Sequence, residues 1–223
     1  YLQRAAQLHV DGGGGGATFS RVATSQLPGN DRTIGWAGVD ASGYADRFYG
    51  YLGLGVRYLS QSSGTFTSLT LPIDLAAGVR FGDARVLLGW SVAPTRYGND
   101  VFRVPFWGGV YARAYGVVGR RLALGLGVFV REGGAAVEAG GTRYLARRFG
   151  LGAFVRGAHG SIAALRYGYD TAGGGLSLEA WTGPRLAVAL SCSFDWTKYA
   201  YANATSENDY ATVIAVSFRL RPR

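Results

Sequence analysis

The stretch Arg121–Glu132, RLALGLGVFVRE, decides how this chain is read. Leu122, Leu124, Leu126, Val128 and Val130 fall on every second position, with Ala123, Gly125, Gly127 and Phe129 between them. Period-2 alternation marks a β-strand, because successive side chains leave opposite faces of the pleat. A strand with one oily face normally presents polar groups to water on the other. Here the second face is mostly glycine and alanine, bracketed by arginine. That makes a poor hydrated surface and a reasonable lining for a lumen, so the bulky face points outward, to lipid.

The same pattern runs through the chain. Arg47–Tyr58, RFYGYLGLGVRY, sets Phe48, Leu52, Leu54, Val56 and Tyr58 against Arg47, Tyr49, Tyr51, Gly53, Gly55 and Arg57. Thr67–Phe81 sets Leu69, Leu71, Ile73, Leu75, Ala77, Val79 and Phe81 against Thr70, Asp74, Gly78 and Arg80. Arg185–Trp196 and Tyr210–Arg219 alternate in the same way, with Ala, Ser, Asp195 and Arg219 on their small-residue faces. These runs exceed the ~5–6 residues of soluble strands and are long enough to cross a bilayer at a tilt.

The connections alternate in kind. One set is tight and charged: Gly43–Asp46, Gly82–Asp83, Gly119–Arg120, Ala146–Arg147 and Gly183–Pro184. The other is longer and polar: Thr24–Arg32, Ser60–Gly64, Arg96–Asp100, Arg131–Gly134, a stretch around Gly160–Gly174, and Lys198–Asp209. Short turns at one end and longer loops at the other describe an all-β, antiparallel, up-and-down transmembrane barrel. The count is about twelve strands, with both termini on the short-turn side. Val10–Ala23 and Ser161–Tyr169 are poorly patterned, which keeps ten strands as the alternative. Ala135–Leu145 leaves its parity open, because Glu138 and Arg143 fall on opposite faces.

Composition agrees with this reading. The 223 residues are 48% hydrophobic and include 36 glycines, about twice the usual share. Residues 1–223 are read as one domain. No run approaches the ~18 apolar residues of a membrane-spanning helix, which leaves barrels open. With no Met anywhere, a removed signal peptide or a trimmed N-terminal part is one expectation. The single Cys192 excludes an internal disulfide. The formal charge of +9 is carried almost wholly by arginine. A GC-rich genome would raise Arg, Gly and Ala together, so only arginine placement is informative. Aromatic residues are expected at both membrane interfaces: Phe48, Phe81, Phe149 and Phe218 near the short turns, and Tyr58, Tyr97, Trp196, Tyr199 and Tyr210 near the long loops.

In this architecture the whole chain resembles the bacterial outer-membrane β-barrel superfamily. Leu71–Trp90, LPIDLAAGVRFGDARVLLGW, looks like a hairpin of its small members. The last strand, through Val216-Ser217-Phe218, resembles their aromatic-terminated insertion signal, although Arg219–Arg223 follow it. The resemblance implies a Gram-negative host, an outer-membrane location, and the bilayer and lipopolysaccharide as surroundings. It implies no activity, since one scaffold hosts pores, enzymes and assembly partners.

The inward arginines are the leading functional candidates. Arg57, Arg113, Arg131 and Arg156 share the glycine face, and would line a porin-like path for small anionic solutes. In strand number and arginine-lined interior this resembles the small outer-membrane channels for acidic oligosaccharides. Asp74, Glu179 and Asp195 lie on the same face and could close the lumen with ion pairs, leaving a membrane anchor or partner subunit for another protein. Arg47, Arg80, Arg85, Arg121, Arg148 and Arg185 are expected at the short-turn rim. A third class is a lipid-modifying enzyme: His159 and Ser161 share parity, a spacing that resembles a lipid A deacylase dyad, but a loop His beside a Ser is more often incidental. His9 and Asp11 also share a face and read as a satisfied lumen pair. No catalytic residue is therefore assigned and the chain is read as a non-enzyme. The Cys and His content offers no metal site, no cofactor is implied, and no nucleic-acid module accompanies the basic charge.

Overall fold

The computed structural model describes residues 7–21, 32–61, 67–98, 101, 108–119, 121–131, 133–146, 148–162, 167–201 and 207–220. Among the described residues the regular elements are all strands: β1 (Gln7–Arg21), β2 (Arg32–Ala45), β3 (Phe48–Gln61), β4 (Thr67–Thr70), β5 (Ile73–Phe81), β6 (Ala84–Val92) and β7 (Thr95–Tyr97). Then follow β8 (Gly109–Val118), β9 (Leu122–Arg131), β10 (Gly134–Ala146), β11 (Phe149–Ile162), β12 (Tyr167–Trp181), β13 (Leu186–Tyr201) and β14 (Glu207–Leu220). Each strand pairs antiparallel with its neighbours. The sheet closes on itself where β1 pairs with β14, from Val10 opposite Leu220 to Arg21 opposite Asp209.

The fourteen segments make twelve staves. β3 pairs Arg57 with Thr70 of β4 and Leu54 with Ile73 of β5 in one unshifted register. β4 and β5 are therefore a single strand, interrupted only at Leu71–Pro72. β6 and β7 are likewise continuous across Ala93–Pro94, since Val92 opposes Ile73 and Thr95 opposes Thr70. Proline has no N–H to give a ladder. The remaining bonds survive: Gly55 N–H donates to Pro72 O at 2.9 Å, and Leu71 N–H to Pro94 O at 2.9 Å. The expected count of twelve stands, with Val10–Ala23 lying largely within β1.

Side-chain burial is that of a cylinder in lipid. Leu124, Leu126, Val128 and Val130 are 45%, 54%, 42% and 45% exposed, whereas Gly127 between them is buried. Leu52, Leu88, Val155, Leu176, Leu190, Ile214 and Val216 are exposed in the same way. No large side chain falls below 2% exposure among the described residues, so there is no oily centre to hold the fold. The closed ladder satisfies the backbone instead, and the bilayer takes the apolar face. From Phe48 to Tyr58 the outward band of β3 rises about 23 Å, at ~3.3 Å per residue and ~45° tilt, close to the ~25 Å of lipid-facing bands. Phe48, Phe81, Phe149 and Phe218 stand exposed beside the short turns. At the other end Tyr58 is exposed outward, while Tyr199 faces inward opposite the lumen residue Tyr169, and Tyr97's side chain lies outside the described residues.

The tight turns use left-handed residues, which let the chain reverse within two or three positions. Asp46, Gly82 and Gly119 have φ of 57°, 58° and 58°. At the opposite end, 22–31, 62–66, 163–166 and 202–206 lie outside the described residues. Two connections differ from expectation. The Arg131–Gly134 link is as tight as the turns across the barrel, with Gly133 at φ 75°. Gly160–Gly174 is mostly strand, because β11 runs to Ile162 and β12 starts at Tyr167.

Candidate functional site

The inward face is built in layers, and the glycines of the opening stretch explain how. A Cβ on Gly89 would lie 2.6 Å from Tyr111 Cε2, and one on Gly125 would lie 3.3 Å from Tyr115 Cδ1. A Cβ on Gly127 would lie 2.9 Å from Phe129 Cε2. Aromatic rings thus cover bare backbone, and the space left by glycine is filled from a neighbouring position. Arginines stack on the rings in turn. The Arg113 guanidinium carbon is 4.7 Å from the centroids of both Tyr111 and Phe129. That of Arg85 is 5.2 Å from Tyr49 and 4.7 Å from Tyr115.

One cross-strand row brings together four inward charged residues. Arg113 opposes Gly127, which opposes Glu138, which opposes Arg156. Arg156 opposes Gly173, which opposes Asp195. Arg156 reaches across the glycine: its Nε donates to Asp195 Oδ1 at 2.7 Å and its second nitrogen to Oδ2. Glu138 is therefore inward, whereas Arg143 faces lipid near the short turns, opposite Leu122 and Leu151. A lipid-facing arginine costs only about 0–1 kcal/mol at that depth.

The other expected positions are placed as follows. Arg131 lies near the long-loop end and donates to Tyr169 Oη at 2.6 Å. Arg57 has inward parity and is exposed. Among the described residues, only Asp195 of the three expected carboxylates pairs with an inward arginine. Asp74 faces inward between Gly53 and Ser91, and Glu179 accepts from Trp181 Nε1. Arg47, Arg121, Arg148 and Arg185 sit in or beside the short turns, where the carbonyls of Arg47, Arg121 and Arg148 accept Arg80, Tyr144 and Trp181 N–H groups. Arg80 stays at the rim, its Nε donating to Gly82 O in the short turn at 2.7 Å, and with Arg85 it lines a cavity that reaches that rim.

That cavity, about 660 Å³, occupies the short-turn half of the lumen. Tyr49, Tyr51, Tyr111, Tyr115 and Tyr144 line it, with Arg80, Arg85, Arg113 and Arg219, and with Asp40 and Asp83. The tyrosines and Glu138 were not singled out from sequence. Their inward parity was legible, but the cross-strand register that stacks them was not.

His159 lies on the outer surface, its Nδ1 2.7 Å from Asp170 Oδ1, with side chains 82% and 57% exposed. Ser161 follows on the same lipid-facing side. The side chains of His9 and Asp11 lie outside the described residues.

No family model matches the chain, and no curated protein matches it. Solved structures do. An outer membrane channel from Pseudomonas putida F1 superimposes with TM-score 0.69 at 11% identity, covering 100% of this chain and 97% of that one. The KdgM porin gives 0.53 at 10% identity, covering 94% and 97%. The TodX deltaS2S3 mutant monoaromatic hydrocarbon channel gives 0.52 at 9%, covering 98% and 91%. The likeness is one of fold: an antiparallel barrel of the bacterial outer-membrane class.

Proposed function

We propose that this outer-membrane barrel is a narrow, anion-preferring channel, with Arg57, Arg113 and Arg131 on its path. One observation carries the reading: the partners that hold Arg113 and Arg131 are neutral. Aromatic faces support Arg113 and a phenol hydroxyl receives Arg131, so neither charge is cancelled by a carboxylate in those contacts. Guanidinium stays protonated, and rings of cationic side chains select anions in pores. Arg156 is different. It lies between Glu138 and Asp195, and acts as a wall brace more than as an anion contact. Transport functions named for solved structures of the same fold support the class by analogy.

The test is a planar-bilayer recording with reversal potentials across a KCl gradient. Chloride preference is expected, and Arg113→Gln and Arg131→Gln should each lower the chloride-to-potassium ratio by about two- to fivefold, ~0.5–1 kcal/mol. A cation preference in the unaltered protein overturns the reading.

The braced Arg156 and the rings filling the lumen favour a second reading, a closed barrel serving as anchor or partner subunit. Absence of any current, with a partner co-purifying, would select it. The lipid-modifying alternative requires lipid hydrolysis that His159→Ala abolishes.

A further inference from the structure

We propose that the short-turn mouth of the barrel docks an acidic peptide segment, held by inward arginines around its rim. This goes beyond the channel reading and does not depend on it.

Four times the sequence sets arginine beside phenylalanine at this end: Arg47-Phe48, Arg80-Phe81, Arg148-Phe149 and Phe218-Arg219. Neighbouring residues of a strand leave opposite faces. Each of these phenylalanines is exposed on the lipid side, where an aromatic girdle marks the membrane interface. Its arginine is thereby set at the same depth on the inner side. Arg47 and Arg148 extend the ladder by one rung, their carbonyls accepting Arg80 and Trp181 N–H groups at 2.8 Å each. Arg121 does the same for Tyr144 at 2.7 Å, and Arg219 opposes the buried Ala187. Arg47, Arg121, Arg148 and Arg219 are exposed, and among the described residues no carboxylate pairs with any of them.

The occupant follows from this placement. Lipid headgroups lie outside the phenylalanines, on the side of Arg143, whereas these arginines lie inside them. The four come from the ends of β3, β9, β11 and β14, spread around the circumference. A small anion meets one or two of them, and a chain with several carboxylates meets them together. Asp46 and Asp83 stand exposed in the same set of turns. They disfavour a uniformly charged polymer and suit a peptide whose acidic residues alternate with neutral ones. Guanidinium forks match carboxylates, and arginine clusters recur as readers of acidic segments. The cavity of about 660 Å³ behind the rim gives the segment's side chains room.

Fluorescence anisotropy tests this, with the detergent-solubilised full chain titrated into a labelled peptide of alternating glutamate and serine. Its glutamine–serine counterpart should bind about tenfold more weakly, or worse, and raising salt from about 50 to 500 mM should weaken the glutamate peptide comparably. Arg47→Gln, Arg148→Gln and Arg219→Gln combined should cost about tenfold or more, and Arg148→Gln alone about two- to threefold. Arg143→Gln, which removes a charge from the lipid side of the same end, should bind the peptide unchanged. The heat-induced gel shift of each variant checks folding, and the single variant carries the test if the combined one does not fold. No peptide binding by the folded chain overturns the proposal. So does tighter binding of a polyphosphate of similar length, which would assign the rim to a phosphate polymer. An equal loss in Arg143→Gln also overturns it, since surface charge alone would then account for binding. Peptide binding without any current would sink the channel reading alone. Chloride current without peptide binding would sink this one alone.

Discussion

Arg156 and Asp195 form a bidentate ion pair from strands that are not adjacent, meeting over Gly173 of β12. A Cβ on Gly173 would lie 2.9 Å from Asp195 Cγ and 2.6 Å from Phe194 O. Gly173→Ala should therefore displace the carboxylate and cost about 1–3 kcal/mol, as overpacking does. The midpoint of urea unfolding in detergent measures it. Asp195→Asn removes the charge without the crowding. It should cost less than Gly173→Ala while raising chloride preference, because Arg156 then faces only Glu138. A destabilisation larger than that of Gly173→Ala would show that charge, not space, limits this position.

Gly89 makes the same argument for the aromatic layer. Its missing side chain is the floor under Tyr111, which in turn supports Arg113. Gly89→Ala should tilt the ring, loosen Arg113 and lower anion preference, with a stability loss of about 1–3 kcal/mol. Unchanged reversal potential and unchanged stability together would remove the layer from the account.

The orientation of the wall has its own test. Leu126 is 54% exposed at mid-span, and Leu145 is 57% exposed near the short turns. Leu126→Arg should cost about 2–4 kcal/mol in lipid vesicles, and Leu145→Arg about 0–1 kcal/mol. A water-facing surface would tolerate both equally.

His159 and Asp170 point away from the lumen. His159→Ala should leave single-channel conductance within error of the unaltered protein, whereas a change in conductance would contradict the outward placement.

Much of this is legible in the sequence, because a two-residue period records both faces of a strand at once. Leu124 and Gly125 declare opposite surroundings by size alone. The strand count survived Pro72 and Pro94 because the alternation runs through each proline without changing parity. The Gly160–Gly174 region was harder. Gly173 and Gly175 carry no side chain to declare a face, since one gives passage to Asp195 and the other lies under Phe154. The site was only half legible. Parity places Arg85, Tyr49 and Tyr115 inside, but Tyr49 and Tyr115 meet the same guanidinium only through register across several strands. The sequence holds no local trace of that register. For the same reason the sequence places Arg80 and Arg85 at the rim without showing that they line a cavity there.

Pro72 and Pro94 stand on neighbouring staves, at adjoining rungs of the ladder, and each leaves a carbonyl without its donor. Elsewhere the wall is stitched by paired bonds, and here by single ones. Pulled apart mechanically, the cylinder should loosen first at the stave that carries Pro72, which at this height holds Gly55 on one side and Pro94 on the other by one bond each.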